Sequence, residues 1–363
     1  MSAERKDDHV RLAVEQQHGH SGHNQFDDVS FVHHALAGVD RSDVSLATSF
    51  AGVDWQVPLY INAMTGGSEM TGAINRDLAI AARETGVPIA TGSVSPYFKN
   101  PDTAETFSVM RRENPDGFIM ANINATTSVD NARRAIDLVR ADALQIHLNT
   151  IQETVMPEGD RSFSSWGRRI EEIVAAVGVP VVVKEVGFGL SRETVALLEK
   201  SGVAVADVGG SGGTNFARIE NGRRELADYA FLDGWGQSTP ACLLDAGGAG
   251  IPLLASGGVR HPLDVVRSLA LGAVAAGASG PFLRTVVDDG VDALVAQLST
   301  WLDQTAALMT ALGARTPAEM ASTDVLVHGA LRSFCDDRGV ATGRLATRSS
   351  SPDTIHRTIG SIR

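Results

Sequence analysis

The sequence predicts an α/β fold of the (β/α)8 TIM-barrel class, in which eight parallel strands alternate with eight helices. Short apolar runs alternate with amphipathic stretches eight times between residues 55 and 311. The runs are almost continuously apolar, which is typical of strands covered on both faces. Glycines such as Gly86, Gly202 and Gly272 follow amphipathic stretches, where helices commonly end on a left-handed residue. A doubly wound open sheet is disfavoured because no GxGxxG motif follows the first strand.

Each strand and helix follows in order from these patterns. The strands are expected at 57–64, 87–93, 117–124, 143–149, 179–187, 203–210, 251–258 and 273–280. The helices are expected at 70–86, 102–113, 127–140, 163–177, 191–202, 237–247, 261–272 and 288–311. Val-Pro pairs open the second and fifth strands, a position that tolerates proline. Pro262 falls in the first turn of its helix, where a missing N–H costs little.

The segments outside the barrel differ in composition. Residues 1–54 are polar and rich in histidine, and they are expected to form an N-terminal arm before the barrel at 55–311. Residues 312–363 are expected to form a C-terminal extension with a helix near 316–338 and a flexible polar tail.

Composition excludes several classes of function. The net charge is -12, and no stripe of Lys and Arg with interleaved aromatics is present, so nucleic-acid binding is not expected. Cys242 and Cys335 lie in no metal-ligand spacing and are expected to be buried, reduced thiols. The charged N-terminus lacks an apolar core, and no run approaches the ~18 apolar residues of a membrane span. We therefore expect a cytoplasmic protein without a membrane partner.

Polar or glycine residues follow every predicted strand. In a barrel, the C-terminal ends of the strands meet around the active site. These strand ends are, in order, Asn62 with 64–67; 91–93; Asn122 and Asn124; His147, Asn149, Gln152 and Glu153; Lys184 and Glu185; 209–214; 256–258 with Arg260; and 277–280. Each residue alone has a structural explanation, but eight polar ends together indicate a functional site.

The last two strand ends indicate phosphate binding. Gly257 and Gly258 precede a helix, and a second glycine-bounded segment, 277–280, precedes another turn. Barrels often bind phosphate through the loops after strands seven and eight, with glycine allowing close approach to the backbone. Arg260 could add a charge-assisted contact.

Lys184 at the end of the fifth strand has two possible roles. A cation at that position could stabilise the negative charge of a reduced flavin. A Schiff-base lysine is the alternative, and it would need a desolvating apolar pocket. Because Glu185 follows in sequence, although on the opposite face of the strand, the flavin role is favoured.

Motifs spread over almost the whole chain carry a specific resemblance. They are RKDDHV (5–10), FDDVSFVHHAL (26–36), NAMTGGS (62–68), TGS (91–93), ANINA (121–125), QIHLN (145–149) followed by QE and PEGD, VVKEVGFG (182–189), GGTNF (212–216), ASGGVR (255–260) and LALGA (269–273). In these motifs the sequence resembles the type 2 isopentenyl diphosphate isomerases, FMN-dependent enzymes of isoprene biosynthesis.

The resemblance implies roles for particular residues. The FMN contacts would be Ala63, Met64, Thr65, Ser93, Asn122, Lys184, Gly209, Thr214, Gly257, Gly258, Val259, Arg260, Ser279 and Gly280. The substrate diphosphate and chain would be held by Arg5, Lys6, His9, His147, Asn149 and Gln152. Glu153 would bind Mg²⁺, and the catalytic roles would fall to Gln152, His147 and Lys184. Gly209 and Asn124 depart from the residues that many relatives have there.

The resemblance also implies the reaction. Isopentenyl diphosphate would be converted reversibly to dimethylallyl diphosphate by adding one proton at the terminal alkene carbon and removing another from the allylic carbon. Reduced FMN would act in proton transfer at N5, with NADPH as the expected reductant and Mg²⁺ on the diphosphate. A homotetramer or homo-octamer is expected.

Three alternatives are weighed against this reading. An FMN-dependent 2-hydroxyacid oxidase or dehydrogenase would need a histidine base near the sixth strand, but no histidine occurs between His147 and His261. An IMP-dehydrogenase-like barrel would need a nucleophilic cysteine in the loop after that strand, and Cys242 lies in a later helix. A noncatalytic flavin-binding protein would not need polar residues at the ends of all eight strands, so this alternative is the least favoured.

Overall fold

A closed barrel of eight parallel strands forms the centre of the molecule. The computed structural model describes residues 2–18, 23–63 and 65–350, without the side chains of residues 2–5 and 350. The barrel strands are β4 (Leu59–Ile61), β5 (Ile89–Ser93), β6 (Ile119–Asn124), β7 (Ala143–Leu148), β8 (Val181–Glu185), β9 (Val205–Asp207), β10 (Leu253–Ser256) and β11 (Ala275–Ala278). Each pairs with its neighbours in chain order, and β11 closes the barrel on β4. The predicted fold class is confirmed.

Helices surround this barrel. Those that follow the barrel strands are α2 (Glu69–Thr85), α4 (Glu105–Glu113), α5 (Val129–Val139), α7 (Trp166–Ala176), α8 (Arg192–Lys200), α10 (Thr239–Asp245), α11 (Pro262–Ala270) and α13 (Val291–Leu312). Additional helices are α1 (Ser2–His18), α3 (Ser95–Lys99), α6 (Thr150–Val155), α9 (Phe216–Gly222), α12 (Gly280–Asp288) and α14 (Gly329–Asp337). The eight predicted strand–helix pairs are therefore present.

Capping residues account for several helix boundaries. Ser68 caps α2 in a reciprocal capping box with Thr71, and Gly86 ends that helix in a left-handed conformation with φ 69°. Pro262 occupies the first turn of α11 as predicted. These local signals explain why the sequence located the helices to within a few residues.

The barrel interior changes from apolar to polar along the strands. Side chains alternate between the two faces of a strand, so residues two apart share a face. The lower interior layer is apolar and contains Tyr60, Ala90, Met120, Ala143, Val182, Val205, Leu254 and Ala275. Two residues further along, the inward side chains become polar, among them Asn62, Asn122, Gln145, Lys184, Asp207 and Ser256, all buried. The polar layer forms the floor of the barrel mouth.

A short hairpin closes the opposite end of the barrel. It consists of β2 (Thr48–Phe50) and β3 (Val53–Trp55), paired antiparallel. Phe50 and Trp55 contact each other edge to face at 4.9 Å and belong to the same apolar cluster as the lower interior layer. This hairpin leaves the C-terminal rim as the open end of the interior.

The N-terminal helix lies on the mouth of its own barrel. Asp7 accepts a hydrogen bond from Ser68 at the start of α2, at 2.5 Å. Further along, Gln16 accepts from the backbone N–H of Asn215 at 2.9 Å and donates to its carbonyl oxygen at 3.2 Å. These contacts place Lys6 and His9, in the first half of α1, over the site.

The C-terminal extension differs from the prediction. The helix expected near 316–338 is wrong, because the segment contains a 3₁₀ turn (Pro317–Ser322), strand β12 (Val325–Val327) and α14. The strand β12 pairs antiparallel with β1 (Val29–Phe31), which joins the two ends of the chain outside the barrel. The last predicted barrel helix, 288–311, is in fact preceded by the separate helix α12. The flexible tail expected from residue 344 onwards is corrected over 344–350, which belong to a 3₁₀ segment (Thr342–Ser350) where Arg348 donates to the carbonyl oxygen of Thr323 at 3.0 Å and the N–H of Ser349 donates to Asp324 at 2.7 Å. The rest of that tail, 351–363, lies outside the described residues.

Both cysteines are buried free thiols, as predicted. In the described part of the chain, no helix is long and apolar enough to cross a membrane.

Candidate active site

Two neighbouring cavities open at the C-terminal rim of the barrel. The first, the glycine-lined cavity, has a volume of about 350 Å³ and lies against the ends of β8 to β11. The second, the histidine-lined cavity, has a volume of about 480 Å³ and lies against the ends of β5 to β8. Their common wall consists of Ala63, Lys184, Val186 and Phe216, which line both. Each volume lies within the ~300–1,000 Å³ usual for small-molecule sites.

The glycine-lined cavity contains most of the residues predicted to bind FMN. Of that set, Ala63, Lys184, Gly209, Thr214, Gly257, Gly258, Val259, Arg260, Ser279 and Gly280 line it. The N-terminus of α12 begins at Gly280, so backbone N–H groups and the positive end of the helix dipole lie at this rim.

Close backbone contact explains the glycines after β9 and β10. Gly257 has φ +92°, and a Cβ atom there would lie 1.9 Å from the carbonyl oxygen of Gly210. A Cβ on Gly213 would lie 2.9 Å from the backbone nitrogen of Gly258. The two loops can therefore meet only without side chains, which leaves their backbone groups at the cavity surface.

The predicted role of Arg260 at the phosphate is corrected in part by the structure. Arg260 lines the cavity, but its guanidinium forms ion pairs with Asp27 at 2.7 Å and Asp264 at 2.8 Å. Its charge is therefore largely balanced by two carboxylates. Arg284 on α12 also lines the cavity, and within the described residues its guanidinium makes no hydrogen bond or ion pair. Sequence reasoning missed Arg284 because it lies one helical turn beyond the glycine motif.

These residues fit a phosphate-bearing flavin. The glycine loops expose backbone donors, and Arg284 supplies a cation that is not balanced by a protein carboxylate. The side-chain oxygen of Gln297 in the same wall is buried and has no hydrogen-bond partner among the described residues. A buried polar atom without a partner is costly, which favours a bound group that contacts it.

Lys184 occupies the wall between the two cavities. It points into the barrel from β8, and its Nζ donates to the carbonyl oxygen of Glu185 at 2.8 Å. Burial lowers the pKa of Lys184, while the carboxyl groups of Asp207 and Glu185 oppose that shift. Glu185 itself faces away from the barrel interior and accepts three backbone N–H bonds from residues 186–188.

The histidine-lined cavity brings together the predicted substrate residues. Lys6, His9, His147, Asn149, Gln152 and Glu153 line it, with Ser93, Asn122 and Lys184 from the predicted flavin set. The side chain of Arg5 and residue Met64 lie outside the described part of the chain. Thr65 lines neither cavity, and its hydroxyl is buried without a partner among the described residues.

His147 is neutral at the floor of this cavity. Burial, followed by the ammonium groups of Lys184 and Lys6, lowers its pKa to about 3, against a smaller opposing contact with the backbone of Ile123. Its Nδ1 lies 2.9 Å from Oδ1 of Asn122.

A buried carboxylate that the sequence did not single out holds the other side of the cavity. Glu220 on α9 is completely buried; it accepts from Nε2 of Gln152 at 3.0 Å and lies 3.1 Å from Nε2 of His9. Arg223 donates to its second oxygen. Burial acts to raise the pKa of Glu220, but the bonds from His9, Gln152 and Arg223 outweigh it and hold the pKa at about 2. The sequence offers little indication that Glu220 orients Gln152, because the two residues are 68 positions apart and Glu220 lies in a polar helix outside any motif.

Glu153 lies beside this cluster on α6. Its Oε1 accepts from Asn149 at 3.0 Å, and its Oε2 accepts from the backbone N–H of Asp160 at 2.7 Å. Within the described residues, no group of three or more His, Cys, Asp or Glu side chains could hold a metal ion. A Mg²⁺ ion bound to Glu153 would thus take most of its oxygen ligands from a substrate and water.

The two departures from the family pattern have local causes. Gly209 has φ +49°, and a Cβ atom there would lie 2.1 Å from the carbonyl oxygen of Glu185. Asn124 accepts hydrogen bonds from the hydroxyls of Thr126 and Thr127, which stabilises the turn after β6. Both residues therefore fit this backbone.

Comparison with known proteins gives a consistent family. The model of the FMN-dependent dehydrogenase family matches residues 99–327. An isopentenyl-diphosphate delta-isomerase of Streptomyces sp. (strain CL190) is 72% identical, with 100% of this chain and 99% of the relative covered. The protein of the same name from Kitasatospora griseola is 71% identical, covering 100% of both. That from Nocardia farcinica (strain IFM 10152) is 59% identical, covering 96% of this chain and 97% of the relative.

Solved structures show the same fold at low sequence identity. A mandelate oxidase mutant with a monooxide FMN adduct has a TM-score of 0.60 and 17% identity, covering 88% of this chain and 92% of that one. A flavocytochrome b2 mutant with benzoylformate has a TM-score of 0.62 and 19% identity, covering 85% and 77%.

Proposed function

The chain belongs to the type 2, FMN-dependent isopentenyl-diphosphate delta-isomerases, and from this premise we propose that it interconverts isopentenyl and dimethylallyl diphosphate at the two rim cavities. FMN would lie in the glycine-lined cavity and the substrate in the histidine-lined cavity. The observation that carries the proposal is the shared wall, because Lys184, Ala63, Val186 and Phe216 line both cavities. Two ligands in these cavities would meet at that wall.

The glycine-lined cavity supplies what a flavin mononucleotide requires. Backbone N–H groups of Gly257, Gly258 and Gly280 would contact the phosphate, with Arg284 as the balancing cation. Lys184 would place a positive charge against the ring. When bound and reduced, the flavin would supply an electron-rich, proton-transferring surface beside the alkene.

The histidine-lined cavity supplies the counter-charges for a diphosphate. Lys6 and Lys184 bring ammonium groups from α1 and β8, and the protein as a whole is negatively charged, so the attraction is local. Arg5 would add a further cation next to Lys6. Asn149 would orient Glu153 towards Mg²⁺ on the diphosphate.

The reaction needs protons to be added and removed on a carbon chain without net redox change. One C–H bond forms at the terminal alkene carbon and one breaks at the allylic carbon, so atoms and electrons balance. Gln152 is held at both ends, by Glu220 through its amide nitrogen and by Asn149 through its amide oxygen at 3.2 Å. A fixed amide of this kind would orient the alkene and exclude alternative rotamers.

The 2-hydroxyacid oxidase alternative shares the fold and the FMN-dependent family. It requires a base that removes a hydroxyl proton near the sixth strand. The segment from β8 to β10 contains no histidine, and the first carboxyl group after β9 is Glu220, which is paired with Arg223. The isomerase reading is therefore preferred.

The proposals of bound FMN and of a reductant are based on the family, and the proposal of an oligomer is based on the family and on exposed apolar residues. NADPH is the proposed reductant. Leu226, Phe231 and Trp235 are exposed at 80%, 76% and 56%, and this apolar segment beside the rim supports a homo-oligomer, proposed as a tetramer or octamer.

The first prediction tests the function itself. Purified protein is expected to show the visible spectrum of bound FMN and to isomerise isopentenyl diphosphate only after reduction by dithionite or NADPH under anaerobic conditions. In deuterated buffer, label is expected in the new methyl group of dimethylallyl diphosphate, because protonation forms that C–H bond. Product without label, or oxygen-dependent turnover of lactate or glycolate by an enzyme inactive on isopentenyl diphosphate, would refute it.

The second prediction concerns the metal. Glu153→Gln is expected to raise the Mg²⁺ concentration for half-maximal activity by about tenfold or more, because a neutral amide is a weaker ligand for a hard cation. Activity would be measured against Mg²⁺ concentration. The matched control is Glu172→Gln on α7, whose partly exposed carboxylate pairs with Arg169 away from the rim. An unchanged Mg²⁺ requirement in Glu153→Gln would exclude this ligand.

A further inference from the structure

A chain of buried hydrogen bonds runs beneath both cavities. Nδ1 of His147 lies 2.9 Å from Asn122, whose Nδ2 donates to Gln145 at 2.7 Å. Gln145 donates to Oδ1 of Asn62 at 3.2 Å, and Asn62 donates to Asp207 at 3.3 Å. Gln145 and Asp207 are fully buried. We call these five residues the floor relay.

The contacts of Asp207 and Asn62 determine which atom of each amide in the floor relay donates and which accepts. Tyr60 donates to Asp207 at 2.6 Å and Ser256 donates to it at 2.7 Å, in addition to Asn62. Asp207 also accepts the backbone N–H of Gly209 at 3.3 Å. The oxygen of Asn62 is fixed independently, because it accepts the backbone N–H of Ala63 at 2.8 Å. Asn62 therefore presents nitrogen to Asp207 and oxygen to Gln145.

This polarity is transmitted to His147. Gln145 must use its nitrogen on Asn62 and its oxygen on Asn122. Asn122 uses its nitrogen on Gln145, so its oxygen faces Nδ1 of His147. Two acceptors cannot bond each other, so Nδ1 carries the proton. In the neutral ring, Nε2 is then an acceptor.

The charged groups around the imidazole keep it neutral in the free enzyme. Lys184 from β8 and Lys6 from α1 face it, and burial acts in the same direction, so the pKa of His147 is about 3. The other titratable groups that line the same cavity are Glu153 from α6, Lys99 from α3, His9 from α1, and Glu158 and Asp160 from the loop after α6. No charged residue of β6 faces the ring within the described residues, since Asn122 and Asn124 occupy that side.

We propose that Asp207 is a positioning residue that acts through the floor relay to hold His147 as its Nδ1–H tautomer, so that Nε2 can contact a diphosphate only after gaining a proton. The proposal rests on the proposed function, because it takes the diphosphate to lie in the histidine-lined cavity. A lone pair on Nε2 repels a phosphate oxygen, whereas an N–H attracts it. Substrate binding therefore takes up one proton from solvent, forming an N–H bond at Nε2, and product release returns it.

The physical benefit lies in the free enzyme. A third cation beside Lys6 and Lys184 would be unfavourable without a counter-ion. With the trianionic diphosphate present, the added charge is balanced, and a charge-assisted hydrogen bond forms at Nε2.

Proton uptake can be measured directly. The holoenzyme with oxidised FMN would be titrated with isopentenyl diphosphate by calorimetry between pH 5 and pH 8, in two buffers that differ in ionisation enthalpy. We expect wild-type protein to take up more protons per bound ligand than His147→Asn does, with a difference that rises towards one as the pH falls over this range. The comparison of the two proteins removes contributions from other groups and from the ligand itself.

The tautomer has its own readout. ¹⁵N-histidine NMR of the free wild-type protein is expected to show His147 neutral, with protonated Nδ1 and unprotonated Nε2, and to show both nitrogens protonated in the complex. In Gln145→Leu, the floor relay is interrupted between Asp207 and Asn122, so the free protein is expected to show His147 as a mixture of its two neutral tautomers. If this variant does not fold, the wild-type spectra still decide the question.

The outcomes separate the two proposals. Binding of isopentenyl diphosphate with no difference in proton uptake, or a free protein with the proton on Nε2, would overturn the floor-relay inference and leave the isomerase proposal intact. Failure of isopentenyl diphosphate to bind would overturn the proposed function, and the NMR spectrum of the free protein would still test the tautomer.

Discussion

Glu220→Gln is expected to lower the rate of isomerisation by the reduced enzyme by about a hundredfold or more, while FMN binding is retained. Glu220 is fully buried; it accepts hydrogen bonds from Gln152 and Arg223, and Nε2 of His9 lies 3.1 Å from Oε1. The amide of Glu220→Gln has only one acceptor oxygen, and its NH₂ group would face an N–H donor of Gln152 or Arg223. Gln152 then loses its fixed orientation, and α1 loses its contact through His9.

The same change also removes the balancing charge of a buried ion pair. Removing one partner of a buried pair typically costs about 3–5 kcal/mol, so the unfolding midpoint should be compared alongside activity. Turnover, KM and bound flavin would be measured on the reduced protein. We expect the loss in kcat at saturating substrate, because the substrate charges are bound by other residues.

The matched control for Glu220→Gln is Asp233→Asn. Asp233 forms an ion pair at 2.7 Å with Arg218, which lies on α9 like Glu220, but both side chains of this pair are more than half exposed. Exposed pairs contribute little, about 0–1 kcal/mol, so this variant should retain both stability and activity. Equal activity in the two variants would show that Glu220 has no positioning role.

Gly257→Ala is expected to weaken FMN binding by about a hundredfold or more, because it separates the loops that form the glycine-lined cavity. An added Cβ would lie 1.9 Å from the carbonyl oxygen of Gly210, a backbone atom that cannot move aside like a flexible side chain. The backbone is also at φ +92°, where a side chain is strained. Flavin content would be measured by absorbance, and affinity by titrating flavin-free protein with FMN.

Gly272→Ala separates backbone strain from the loop clash. Gly272 has φ +99°, close to that of Gly257, but nothing lies within 4 Å of the added Cβ. We expect this control to lose roughly 1 kcal/mol of stability and to keep its flavin. Equal flavin loss in both variants would show that strain alone is responsible and that the contact between Gly257 and Gly210 is unimportant.

Much of the architecture could be read from the sequence because its signals are local. Apolar runs of strand length, helix-ending glycines and Pro262 depend on neighbours in the chain, and all eight strand–helix pairs were located from them. The site could be located for the same reason, since parallel strands bring their C-terminal ends to one rim whatever their sequence separation. A single helix over 316–338 is wrong because β12 pairs with β1, almost 300 residues away, and α14 covers only Gly329–Asp337 of that range.

The sequence by itself determined the barrel and the set of residues at its rim. Tertiary structure decided which of those residues keep an available charge and which way each amide points. Arg260 is balanced by Asp27, 233 residues away, and Gln152 is oriented by Glu220, which no motif marks. The reason is physical: hydrogen bonds and ion pairs act between atoms within about 3 Å, and that proximity arises only when distant segments have folded together.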